Sequence, residues 1–239
     1  MLHNIFSRKI SWSKLIFYFV LISLVVSLFY FAIQLYLITP ETHLAYERTY
    51  SDYVLIILQC LTGIVAMFLP SILAKRMRFD VPASFSITYT IFIYCAIYLG
   101  EVRSFYYLIP IWDSILHTFS GAALGVFGLF VVDLLSRERK HKVHLSPFFV
   151  SFFAFCFAVT VGVLWEIYEF TADGLFGLNM QKFITESGEV LVGRQALTDT
   201  MKDLIVDVSA AFVVTLGYYL NTKRKLKIQK GKTSKGEGA

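Results

Sequence analysis

Three short runs carry nearly all the ionisable chemistry that lies inside apolar sequence. They are Trp112-Asp113-Ser-Ile-Leu-His117, Trp165-Glu166-Ile-Tyr-Glu169-Phe170 and Asp199-Thr-Met-Lys202-Asp203-Leu-Ile-Val-Asp207. Asp113 and His117 are four apart, Glu166 and Glu169 are three apart, and Asp199, Asp203 and Asp207 step by four. On helices, each set therefore shares one face. A charge placed in the bilayer costs about 2.5–3.5 kcal/mol on insertion scales, so such groups normally face a bundle interior and serve a function. Crowded carboxylates repel one another unless a cation intervenes. Carboxylate oxygens joined by one imidazole make a donor set for a divalent ion such as Mg, Mn, Fe or Zn. The expected metal ligands are Asp113, His117, Glu166 and Asp203, with Glu169 and Asp207 as acid or base. One histidine at this depth favours a single metal over the two-metal, oxygen-activating site that Glu-x-x-His pairs build. Taken singly, these residues have plainer explanations. Asp113 and Asp199 suit helix N-termini, Glu169 suits the water interface, and His117 suits a satisfied core position.

The elements that must hold these groups are membrane-spanning helices. Apolar residues make up 56% of the 239-residue chain and charged residues only 16%, against about a quarter charged in a soluble domain. Crossing the hydrocarbon layer takes roughly 20 mostly apolar residues. Six runs qualify, at about 15–38, 53–74, 83–100, 112–135, 147–170 and 203–220. The first is too long for the apolar region of a signal peptide and lacks a small-residue cleavage site, so it reads as an uncleaved span. The prolines fall at or near the ends of these runs, where helices tolerate them. Barrel strands would alternate in stretches of about ten residues, and these runs do not. No internal repeat is visible, which leaves an inverted-repeat transporter without support. The expectation is an all-α integral membrane bundle: one helical domain over 1–222 and a basic, disordered cytoplasmic tail over 223–239.

Lysine and arginine set the orientation. They cluster before the first run (Arg8, Lys9, Lys14), after the second (Lys75, Arg76, Arg78), after the fourth (Arg137, Arg139, Lys140, Lys142) and in the tail from Lys223. The intervening loops are poor in them, so both termini are expected in the cytoplasm. All three ionisable sets then fall at the outer ends of their helices. The connection between the fifth and sixth runs lies on that same side, as a lid over the cluster or as a plain surface loop. Arg103, Lys202 and Arg194 are the few cations expected nearby. Nucleic-acid binding would also explain a basic tail, but no recognition fold accompanies it. Cys60, Cys95 and Cys156 sit in apolar sequence as small apolar residues, with no disulfide or zinc-finger spacing. Gly121-Ala-Ala-Leu-Gly125 lets another backbone approach closely, either within the chain or as a face for a homo-oligomer.

The order Asp113-x-x-x-His117, Glu166-x-x-Glu169 and Asp199-x-x-x-Asp203-x-x-x-Asp207 followed by Ser209-Ala-Ala resembles the YjdF-type family of bacterial inner-membrane proteins. It is similar, more distantly, to the VanZ-like proteins associated with glycopeptide resistance. Those show an Asp/His pair, a Glu-x-x-Gln pair and a final Asp before a small-residue turn. Glu169 stands where their Gln would be, and Asp207 where an Asn is usual. The resemblance covers about the second half of the chain. It implies a bacterial cytoplasmic membrane and no particular reaction. Three functional expectations follow. The first is a metal-dependent hydrolase or transferase acting on a lipid or lipid-linked substrate at the outer leaflet. The second is a proton- or cation-coupled transporter. The third is a non-catalytic accessory protein in envelope stress.

Overall fold

The computed structural model describes residues 11–37, 49–77, 80–137, 145–185 and 188–236. Its helices are α1 (Trp12–Leu37), α2 (Tyr50–Met77), α3 (Ala83–Ile93, continuing as a π-helix over Tyr94–Val102), a single turn α4 (Phe105–Leu108), α5 (Trp112–Arg137), α6 (Pro147–Phe176) and α7 (Arg194–Gly236). Six of them are long and apolar enough to cross a membrane. Among the described residues the extended structure is confined to one isolated bridge between Ile184 and Val190. The all-α membrane expectation therefore holds, with all six spans in their expected places.

Within the span expected as one helical domain, the helices group into two compact units. The first comprises α1 to α4, as far as Trp112, together with Leu175–Asn179; the second comprises the rest of α5 and α6 together with α7. In the first unit, α1 buries Val20, Leu24, Ser27 and Phe31, three or four residues apart along one stripe. That stripe joins Ile56, Cys60 and Met67 of α2 and Ile93 and Ile97 of the third span in one core. Pro70 lies inside α2 and not at its end, because the helix runs on to Met77. A proline has no N–H, so the carbonyl four residues earlier, that of Ala66, loses its helical donor. The Tyr89 hydroxyl of α3 donates to that carbonyl at 3.0 Å. In a span with little water, replacing the lost donor in this way is what makes the proline tolerable. The three cysteines are free thiols, as expected.

In the second unit, glycines set how closely the helices approach. A Cβ on Gly121 would lie 2.6 Å from the backbone oxygen of Asp207, and one on Gly125 would lie 3.6 Å from the Ala211 backbone. Four-residue steps on α5 and α7 thus run side by side in backbone contact. A Cβ on Gly128 would lie 2.8 Å from Ala154 Cα on α6. The close approach that the glycine pair permits is made to α7 of the same chain.

Two helix ends differ from expectation. α6 continues six residues past 170, and α7 starts at Arg194, nine residues before 203. Hydropathy marks the part of a helix that sits in hydrocarbon and is blind to a polar turn beyond it. α7 also continues through Gly236, so the stretch from 223 expected to be disordered is helical that far. Lysine is a good helix former, and cations near a helix C-terminus complement its dipole.

Candidate functional site

The three ionisable sets meet inside the second unit, at the end where α5 begins, α6 ends and α7 has run two to four turns. Asp113 sits in the first turn of α5 and His117 one turn later. Glu166 lies on the buried face of α6. Asp203 and Asp207 are successive turns of α7, at 2% and 5% exposure. Asp113, His117 and Asp203 each offer a ligand atom, and the three atoms lie within 4.8 Å of one another. His117 Nε2 and Asp113 Oδ1 are 3.7 Å apart. That is too far for a hydrogen bond, and it is the separation of two donors sharing one ion at bond lengths of about 2.0–2.2 Å.

The other imidazole nitrogen is already committed. His117 Nδ1 lies 3.1 Å from Asp207 Oδ2. Ser120 Oγ lies 3.0 Å from Asp207 Oδ1 and 3.0 Å from the His117 carbonyl oxygen, so its one hydroxyl proton is shared between the two acceptors. With Nδ1–H donating to Asp207, Nε2 keeps its lone pair on the side of Asp113 and Asp203. This is how metal-binding histidines are usually oriented, by a carboxylate behind the ring. Asp207 is in turn held by backbone: a Cβ on Gly162 of α6 would lie 3.1 Å from its Oδ2, and Gly121 packs on its main chain. Glycine on both neighbouring helices lets a carboxylate fit between them.

Glu166 is the unusual member. It is 4% exposed, and both of its carboxylate oxygens are buried with no hydrogen-bond partner. A buried carboxylate left unpaired costs several kcal/mol in real proteins. A cation would offset that cost, and the charges of Asp113, His117, Asp207 and Asp199 all act on Glu166. The donor chemistry and the orphaned acid both fit a hard divalent ion.

Around this centre, Glu169 is half-buried and feels Glu166, Asp113, His117 and Lys182. Asp199 feels Asp113, His117, Lys182 and Lys202. Two residues absent from the sequence-based list shape the site. One is Ser120, described above. The other is Asp173, buried on the last turns of α6, whose carboxylate accepts the backbone N–H groups of Met180 and Gln181 at 2.8 and 3.0 Å. Gln181 then donates to Thr200 of α7 at 2.8 Å. These bonds fix the chain just before Lys182, which takes a left-handed φ of 50°. Spacing carried a signal for both residues. Asp173 continues the Glu166 and Glu169 face at i+7, and Ser120 continues the Asp113 and His117 face at i+7. Lys182 carried no such signal, because a loop residue is placed by the turn that precedes it. Of the other expected cations, Arg103 belongs to the first unit, where it lines a cleft, and Arg194 is the exposed first residue of α7.

The comparisons with known proteins agree with the membrane architecture. The model of a family described as a predicted membrane protein, DUF2238, matches residues 16–224. An uncharacterized protein from Thermotoga maritima is 26% identical over 147 residues, covering 62% of this chain and 68% of its own. No solved structure matches the chain.

Proposed function

We propose, for a chain that belongs to the DUF2238 family of predicted membrane proteins, that the second unit binds one divalent metal ion and hydrolyses or transfers a lipid or lipid-linked phosphate or ester. The observation that carries this is the convergence of Asp113, His117 and Asp203 donor atoms within 4.8 Å of one another, in the same unit as a buried Glu166 carboxylate that has no hydrogen-bond partner and on which the charges of Asp113 and His117 act. Asp113, His117 and Asp203 would hold the ion, with Glu166 of α6 as a fourth ligand. Three carboxylates against a divalent ion leave about one negative charge, far easier to bury than three. Asp207 positions His117 and is not the acid or base itself, since both its oxygens are engaged. Glu169 is the general base. It takes the proton of a water whose oxygen bonds to phosphorus or to the ester carbon, and the leaving oxygen is protonated from solvent. Bound there, a divalent ion would polarise the phosphoryl or carbonyl oxygen.

Basic residues flank the other ends of the helices, which supports a cytoplasmic location for both termini and an outer-leaflet site. The YjdF-type pattern and the bacterial relative support a bacterial cytoplasmic membrane. The VanZ-like likeness adds no reaction. The rival reading as a transporter needs a water path from the cluster to the far side. The backbone contacts at Gly121, Gly125 and Gly128 argue against one, because they leave no room between α5 and its neighbours directly beyond the site.

The test is turnover in detergent, with no gradient present, of lipid-linked phosphates and esters. Metal-loaded wild type should release product and Glu169→Gln should not. Absence of product with every substrate class, alongside cation movement in proteoliposomes, would reverse the choice. An accessory protein would show neither.

A further inference from the structure

The first unit holds a cleft that takes no part in the acidic cluster. Its volume is about 480 Å³, within the range of roughly 300–1,000 Å³ typical of small-molecule sites. Val26, Ser27, Tyr30 and Gln34 of α1 line one side, Tyr53 of α2 another, and Tyr98 and Arg103 close it from the third span. Val26 and Gln34 are eight residues apart, so the cleft follows α1 for about 12 Å, from mid-span toward its C-terminal end. Polarity is graded along that length. The mid-span end presents Tyr98 and the exposed Val26. The other end presents Gln34, Tyr53 in the first turn of α2, and Arg103 just past the π-helix. Among the described residues no carboxylate pairs with Arg103, which is exposed. An arginine at a span end beside apolar surface keeps its charge at the interface while its stem lies along the hydrocarbon.

We infer that this cleft binds an anionic amphiphile, its phosphate or carboxylate on Arg103 and Gln34 and its apolar body along Val26, Tyr30 and Tyr98. Arg103 supplies the fork of donors that planar oxyanions take up in pairs. Gln34 supplies a neutral donor beside it, and the aromatic walls take the chain. Neither a zwitterionic headgroup nor an anion without an apolar body satisfies both ends. A membrane phospholipid with a net negative headgroup satisfies both. None of the proposed metal ligands lines the cleft, so it stands or falls apart from the metal centre.

Native mass spectrometry of the full chain, released from detergent with defined additives, tests this. Phosphatidylglycerol should bind at least tenfold more tightly than phosphatidylcholine. Arg103→Gln should lose about tenfold for the anionic lipid, with helicity and thermal midpoint unchanged. Val26→Trp, which adds bulk at the exposed mid-span end of the cleft, should lose the same lipid while leaving Arg103 intact. Glycerol phosphate, which has the anion without the apolar body, should bind far more weakly than phosphatidylglycerol; equal binding of the two would overturn the inference. Binding of every lipid and of glycerol phosphate that is indifferent to both substitutions overturns the inference.

Discussion

Asp207→Asn is the most informative single change, because it alters charge and hydrogen bonding at one carboxylate while keeping its shape. Asp207 accepts from His117 Nδ1 at 3.1 Å and from Ser120 at 3.0 Å, one on each oxygen. An asparagine has one acceptor oxygen, so it can serve only one of these donors and presents an N–H group to the other. The imidazole loses its fixed tautomer, and Nε2 no longer keeps a lone pair toward Asp113 and Asp203. Loss of such outer partners typically costs 10–100-fold in metal affinity, or about 1.4–2.7 kcal/mol. Ser120→Ala removes one neutral donor to Asp207 and should cost only about 0.5–1.5 kcal/mol. Affinity is read by titrating manganese or zinc against a competing chelator on detergent-purified protein, with circular dichroism as the folding control. An Asp207→Asn protein that binds metal within twofold of wild type would refute the positioning role, provided that His117→Ala abolishes binding in the same assay.

Two further outcomes follow from buried polar groups. Glu166→Met removes an unpartnered buried acid, so without added metal it should stabilise the fold by roughly 1–3 kcal/mol, read by chemical or thermal unfolding. The same variant should lose the stabilisation that excess metal gives wild type, about 2.7 kcal/mol at one hundred times the dissociation constant. In the first unit, Tyr89→Phe should destabilise by about 1–2 kcal/mol, because it orphans the Ala66 carbonyl. In a Pro70→Ala background, where a backbone N–H returns to that carbonyl, the Tyr89→Phe cost should shrink to a few tenths of a kcal/mol; equal costs in both backgrounds would dismiss the link.

The spans were legible because each needs its own long apolar run, and no soluble alternative produces six of them. The three ionisable sets were legible for a related reason: charges in hydrocarbon are rare enough that a shared helical depth stands out. Where sequence fell short, the cause was local. The last turns of α6 are more polar, so the apolar run stops at Phe170 although the helix continues and buries Asp173. Asp207 and Asp203 have the same spacing logic and differ only in what faces them. Glycines at 121 and 162 pin Asp207 against His117 and Ser120, while Asp203 shares its depth with Asp113. No one-dimensional pattern separates a ligand from the group that orients a ligand. The glycine pair at 121 and 125 likewise marks close approach without naming the partner, which here is α7. The π-helical end of the third span had no signal in its apolar sequence.

The most direct measurement is metal content by mass spectrometry on detergent-purified protein, prepared without chelators and supplied with divalent cations. Wild type is compared with His117→Ala and Glu166→Ala, each shown to be folded. A metal centre in the second unit predicts about one divalent ion per chain in wild type and near none in either variant. Wild-type protein free of metal under these conditions, or variants that keep it in full, would contradict the centre and leave the buried carboxylates to a proton-linked or structural role.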